Sequence, residues 1–209
     1  MGSEVCIRDR SNFTLIKDFK EENLISKDIG PGNCLIDEWM RRNKKGNYDK
    51  NGETASSGKT NELTLNQALE DFENITDKNI NSFDVNDFEI NFLRGLDLED
   101  GASTITDFTA NIIVSKLLNE IEKSKQRISK VILCGGGRKN QTLINRIKNH
   151  SRNKIKFEVI EDYGVDGDFV ESQAFAFLAI RSFLKLPISF PNTTGCKLPS
   201  TGGILVKNF

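Results

Sequence analysis

The hydrophobic period of the chain changes near residue 130, and nothing else constrains the fold as tightly. From about Ser103 to Lys125, the residues Ile105, Phe108, Ile112, Ile113, Leu117, Leu118 and Ile121 recur three and four apart. That is the spacing of one helix face. Beyond it, Lys130-Val131-Ile132-Leu133-Cys134 is a short unbroken run of buried-strand type. Gly135-Gly136-Gly137 reads as a turn, 140–149 as a helix, 155–160 as a strand and 168–185 as a helix. Strands alternating with helices predict an α/β layer with parallel neighbours, because parallel strands need a crossover between them.

The rest of the chain is less patterned. Residues 1–12 show neither helical nor strand periodicity. Phe13-Thr14-Leu15-Ile16 and Asn23-Leu24-Ile25-Ser26 read as an antiparallel hairpin. Asp28 to Asn33 is a turn, with Asp28 ending the strand before it. A helix follows, with Leu35, Ile36, Trp39 and Met40 on one face. Residues 43–61 are polar and read as a loop, 62–73 as a short helix. Residues 74–100 are rich in Asn and Asp and take no clear assignment. A closing strand is expected near Ile204-Leu205-Val206. There is no internal repeat.

Charge and cysteine usage exclude several classes. The 29 Lys+Arg against 30 Asp+Glu leave a formal charge of −1, so no basic surface for nucleic acid is expected. No apolar run approaches the ~20 residues that span a bilayer, and MGSEVCIRDR has no apolar core of the signal-peptide kind. Cys6, Cys34, Cys134 and Cys196 lie far apart without a CxxC or CxxH. That spacing argues against a disulfide framework or a zinc site and fits a reducing cytoplasm.

Two tempting motifs fail. Ser57-Gly58-Lys59-Thr60 resembles the end of a phosphate-binding P-loop, but position 53 is Glu rather than Gly and no strand precedes it. Asn47, Asp49, Asn51 and Gly52 open like a calcium loop, but the twelfth position is Gly58, not a bidentate Glu. Two strand-to-helix turns are better. Gly135-Gly136-Gly137-Arg138-Lys139-Asn140 can lay bare backbone against an anion at a helix start, or can be only a tight turn. Asp28-Ile29-Gly30-Pro31-Gly32-Asn33 can do the same beside a carboxylate able to take a proton, or can be only a helix N-cap turn. Glu171, in Asp168-Phe169-Val170-Glu171, reads first as a capping acid. His150, the lone His, reads as a helix-end cation.

Two anion-cradling turns a hundred residues apart, with a long helix between, resemble the nucleotide-binding half of the actin-like ATPase and sugar-kinase superfamily. Within it, DIGPGNCLIDEW, YDKNGETASSGK, LDLEDGASTITDFTA, VILCGGGRKNQTLINRI, DYGVDGDFVESQAFAFLAIRSFLKLPISFPNTTG and the closing TGG are similar to the anhydro-N-acetylmuramic acid kinase family, in that family's order over most of residues 13–209. The resemblance implies an α/β fold of the ribonuclease H-like kind, a mixed sheet flanked by helices. It implies a cytoplasmic kinase of cell-wall recycling that uses ATP, Mg²⁺ and water to open the 1,6-anhydro bridge and phosphorylate O6. It makes Asp28 the general base, and it puts Gly30, Gly32 and Asn33 at the phosphates. Gly135, Gly136, Gly137 and Asn140 would border the adenosine, and Glu171 would touch the sugar or its water. It implies no protein-bound metal, no nucleic-acid or membrane partner, a small anhydro-amino sugar as substrate, and a homodimer of the full-length protein. The family's first Gly-Thr-Ser-x-Asp-Gly phosphate turn is not in this sequence. The chain is therefore expected to be the C-terminal, nucleotide-binding lobe over 13–209, with 1–12 foreign to it. A non-catalytic nucleotide-binding module and another kinase of the superfamily are the alternative readings.

Overall fold

A computed structural model describes residues 2–16, 20, 24–76, 89–125, 127–128, 130–152, 154–204 and 206. Three strands open the chain: β1 (Gly2–Ile7), β2 (Arg10–Ile16) and β3 (Leu24–Pro31). The helices α1 (Cys34–Arg42), α2 (Glu53–Ser57), α3 (Glu62–Thr76) and α4 (Leu98–Ser124) follow. Then come β4 (Lys130–Cys134), α5 (Gln141–His150), β5 (Lys156–Val159), α6 (Val170–Phe183) and α7 (Pro191–Thr194). The sheet runs β3-β2-β1-β4-β5. β1, β2 and β3 pair antiparallel, and β4 lies parallel to both β1 and β5. This is the mixed sheet flanked by helices that the sequence implies.

The N-terminal segment is a correction. Residues 1–12 were expected to be featureless and foreign to a lobe starting at 13. Instead β1 is the middle strand, and residue 13 falls inside β2. Val5 and Ile7 are fully buried while Glu4, Cys6 and Arg8 lie on the other side. That alternation over five residues is a strand signal, obscured by Arg8-Asp9-Arg10 closing the hairpin to β2. β2, β4 and β5 lie where strands were expected, β3 runs on to Pro31 through most of the expected Asp28–Asn33 turn, and residue 23 of the expected second strand lies outside the described residues.

α4 is longer than its apolar stripe. It begins at Leu98 because Asp97 caps it, accepting from the Asp100 N–H at 2.8 Å. Gly101 in its first turns is a packing requirement: a Cβ there would stand 2.1 Å from the Trp39 ring. The polar stretch 43–61 is not all loop. The Asp49 carboxylate accepts from the N–H groups of Thr54 and Ala55, both at 2.9 Å, and so starts α2. Near the C-terminus, Ser189 and Ser200 form an isolated bridge, Ile204 lies in no strand, and Leu205 lies outside the described residues.

Two apolar clusters hold the fold, and α4 belongs to both. Its first half packs with α1, α2 and α3 around Trp39, Phe72, Leu93 and Ile105. Its second half, through Ile113, Val114 and Leu117, lies on the sheet with Val5, Phe13, Leu133 and Ile147. At roughly 1.5–3 kcal/mol for each fully buried Ile, Leu or Phe, this helix contributes more to the fold than any other element.

Candidate functional site

The β1–β2 hairpin turn and the Gly135–Gly136 turn face each other across a cleft of about 650 Å³. Cys6, Arg8, Asp9, Arg10 and Asn12 line one side, and Gly135, Gly136, Gly167, Asp168, Glu171 and Ala174 the other. The parallel β1–β4 pairing causes this, because the ends of adjacent parallel strands open on one edge.

At the glycine turn the backbone is tightly constrained. Gly135 takes a φ of 76°, and a Cβ on it would stand 2.4 Å from the Ile7 carbonyl. Gly137 is packed against Ile7, where a Cβ would meet Cγ2 at 2.3 Å. Gly136 differs: it is exposed, and a side chain there would meet nothing within 4 Å. Of the three glycines it is the one that offers bare backbone to a ligand. Asn140 does not line the cleft. It is buried and caps α5, its Oδ1 accepting from Leu143 N–H at 3.0 Å.

Arg138, which sequence reasoning passed over, clamps this turn. It is 5 % exposed and donates to Glu161 at 2.6 Å, Asp168 at 2.9 Å and the Gly135 carbonyl at 3.0 Å. Lys139 holds the other Asp168 oxygen at 2.6 Å. The Lys139 hydrogen bond and then the Arg138 one push Asp168 below the usual carboxylate range. Burial opposes ionisation at Glu161, yet the Arg138 hydrogen bond leaves its carboxyl low too. Asp168 therefore anchors the start of α6 and is not a free acid. Glu171 is not the expected cap: α6 starts without a side-chain cap, and Glu171 pairs with Arg8 across the cleft.

Asp28 lies inside β3, not at its end, opposite Asn12 in the β2–β3 register, with a bulge beside it. Its carboxylate is 12 % exposed and accepts from Arg10 at 2.8 Å. It opens onto a second cavity of about 760 Å³, shared with Ser26, Lys27 and the α7 residues Thr193 and Thr194. Asn12 lines both cavities. Asp28 and Gly136 are thus on neighbouring hollows bridged by Arg10 and Asn12, not in one cavity.

The Asp28–Asn33 segment is built differently from an exposed anion turn. Gly30 (φ 148°) presses on α4, where a Cβ would meet Ile112 at 2.5 Å. Gly32 lies under the hairpin, and a Cβ would stand 2.1 Å from the Arg8 carbonyl. The N–H groups of Gly32, Asn33 and Cys34 donate to the Asp9 and Arg8 carbonyls at 2.9, 2.6 and 3.3 Å. These amides orient the hairpin. The side-chain oxygen of Asn33 is buried without a hydrogen-bond partner among the described residues.

The look-alike motifs are packing devices. Lys59 N–H donates to Asp100 at 2.7 Å and Thr60 to Asp107 at 2.8 Å, which ties Gly58–Thr60 to α4. His150 contacts Asp107 at 2.7 Å and Arg146 lies 3.4 Å from the same carboxylate. Burial disfavours charge on Asp107, but hydrogen bonds from His150 and Thr60, with Arg146, leave it below its usual range. No helix of the described residues is long and apolar enough to cross a membrane.

Residues 7–208 match a family model described as anhydro-N-acetylmuramic acid kinase. That match starts inside the segment expected to match nothing. A protein named anhydro-N-acetylmuramic acid kinase from Pelagibacter ubique is 51 % identical over 95 % of this chain and 53 % of its own length. Proteins of the same name from Zymomonas mobilis and Brucella canis are 37 % and 35 % identical, over 88 % and 94 % of this chain and 48 % and 51 % of theirs. The chain spans about half the length of these relatives. Among solved structures, an activator of 2-hydroxyisocaproyl-CoA dehydratase from Clostridium difficile covers 76 % of this chain and 53 % of its own. It does so at 10 % identity and a TM-score of 0.44.

Proposed function

Because the chain belongs to the anhydro-N-acetylmuramic acid kinase family, we propose that it supplies the nucleotide-binding lobe of such a kinase. The whole enzyme would open the anhydro bridge of 1,6-anhydro-N-acetylmuramic acid with water and phosphorylate O6 from ATP. The products are N-acetylmuramate 6-phosphate and ADP, and the setting is cytoplasmic cell-wall recycling. The observation that carries this reading is the family match over 7–208.

Asp28 is the proposed base. Arg10 holds its carboxylate against β2, so the oxygen that takes a proton from the attacking water is pre-oriented. Gly30, Gly32 and Asn33 act in this reading by keeping α1 and the hairpin close enough for Asp28 and Arg10 to meet. Gly136 offers bare backbone to the nucleotide, with Gly135, Gly137 and Asn140 behind it as support. Arg8 and Arg10 line the cleft and supply positive charge for phosphates. Mg²⁺ neutralises charge on the nucleotide's phosphates when bound. Asp168 and Glu171 are already held by cations, whereas Asp9 forms no ion pair among the described residues and is the oxygen donor on hand. Glu171, released from Arg8, is the residue proposed to reach the sugar.

The apolar face of α6 is open in this chain, which supports a further lobe over the cleft in the working enzyme. The test joins this chain to the half of the Pelagibacter relative that it does not span. Coupled ADP release is then followed with the anhydro-sugar. The joined protein should turn over and the chain alone should not. Asp28→Asn in the joined protein should lower the rate by about 10²-fold or more. Full activity in Asp28→Asn overturns the base assignment, and turnover by the chain alone overturns the two-lobe reading. Light scattering on the joined protein tests the proposed homodimer. A non-catalytic nucleotide-binding module is favoured instead if the chain binds ATP while the joined protein leaves the sugar intact. The committed amides of Gly32, Asn33 and Cys34 are what speak for it.

A further inference from the structure

Three metal-binding side chains converge on the sheet face away from the main core. Glu4 and Cys6 are two apart on β1, so the strand's period of two points them the same way. Cys6 is the register partner of Cys134 on β4. One carboxylate oxygen and two sulfurs therefore lie within 4.8 Å of one another. We propose that Glu4, Cys6 and Cys134 form a binding site for one thiophilic divalent cation, of which zinc is the type.

The geometry is close to what such an ion takes. Zn–S bonds of about 2.3 Å and Zn–O bonds of about 2.0–2.2 Å place tetrahedral ligands roughly 3.3–3.8 Å apart. The three ligand atoms lie within 4.8 Å of one another, with the Cys134 sulfur 2.7 Å from the Glu4 oxygen as the tight edge, so an ion would need only small side-chain rotations to enter. Space is preserved on the sulfur side by Gly135, where a Cβ would stand 3.1 Å from the Cys6 sulfur. Cys134 is fully buried, which shields the site. Cys6 and Gly135 also line the 650 Å³ cleft, so a fourth position opens to water. Three protein ligands plus water is the pattern of an open site.

The electrostatics agree. The thiol hydrogen bond from Cys134 is the main cause that draws Cys6 down, against burial and Glu4, with Arg8 assisting and Glu171 opposing. Hydrogen bonding to Cys6, then burial, then Glu4 push Cys134 up. The Cys134 thiol thus has both the Cys6 sulfur and the Glu4 carboxylate as acceptors beside it. A divalent cation bound there takes the place of both thiol protons, which leave to solvent, and offsets two of the three negative charges of its ligands. Affinity should therefore rise steeply with pH. The spacing of the four cysteines hides this site, because β1 and β4 are over a hundred residues apart in the chain.

The test uses the full chain, reduced and desalted, titrated with zinc against a chromophoric chelator and with Co²⁺ in parallel. One equivalent should bind, with two protons released per zinc and a sulfur-to-cobalt charge-transfer band. Cys6→Ser and Cys134→Ser should each lose the band's full intensity and bind at least about tenfold more weakly. Glu4→Gln should keep the band and weaken binding. The double variant Cys34→Ser/Cys196→Ser should change neither. The proposal is overturned if the native chain holds no stoichiometric zinc, or if either Cys6→Ser or Cys134→Ser binds as tightly as native. The native titration decides the matter even where a variant fails to fold.

Discussion

α4 and α6 are both rich in apolar residues, yet one is the most enclosed element of the protein and the other the barest. α4 buries thirteen residues from Gly101 to Leu117. α6 buries none, and Phe175, Phe177, Ile180 and Phe183 are each more than half exposed. Phe175 and Phe177 are two apart, so they sit on different faces of the helix. A helix apolar all round belongs in an interior. Apolar sequence is thus necessary for burial but does not supply the surface that buries it. α4 found the sheet and three helices; α6 is anchored in this chain by polar clamps at its start.

That contrast can be broken by substitution. Ile113→Ala in α4 removes a fully buried side chain between helix and sheet, and should cost about 2–5 kcal/mol. Urea unfolding followed by circular dichroism would show it as a fall in midpoint. Arg138→Met unclamps α6 from the glycine turn and should cost about 1 kcal/mol, because the Gly135 carbonyl loses a hydrogen bond while water takes over at the exposed Glu161 and Asp168 carboxylates. Its sharper mark is local: limited proteolysis should speed up around 164–169 before global unfolding. Unchanged cleavage there would mean that α6 is held by something other than its clamp.

A third probe uses pH. Asp107 on α4 holds the His150 end of α5, and its folded value lies below the usual 3.8. The folded state therefore binds fewer protons than the unfolded one just below that pH. Its contribution is complete above the usual carboxylate range and is lost as pH falls through the folded value. Asp107→Asn should cost about 1 kcal/mol at pH 7 and progressively less as pH falls below the usual carboxylate range, read from urea midpoints. The smallest effect belongs to α6. Phe177→Ser should change the stability of this chain by less than about 0.5 kcal/mol, while reducing self-association in light scattering. A large loss would show that α6 packs on the chain after all.

Much of this architecture was legible. α4, β4, α5 and β5 stand where hydrophobic period puts them, because period reports which side of an element faces the core. The glycine turn was legible as a strand-to-helix junction, but not the division of labour within it. Gly135 and Gly137 serve packing, Gly136 is bare, and Asn140 is a cap. Glu171 read as a cap because sequence shows only local partners, and Arg8 is 163 positions away. The 1–12 segment misled for a related reason. Its alternation was too short to stand out until β2 and β4 flanked it.

By itself, the order of residues determined the element types, the apolar stripe of α4, the α/β class and the family. Those are consequences of local chemistry and near-neighbour spacing. Only the tertiary structure decided that β1 is the central strand, that the Gly32–Cys34 amides turn to the hairpin, and that Glu4, Cys6 and Cys134 meet. Long-range strand pairing sets those contacts, and it depends on which strands are free to pair rather than on any pattern within one segment.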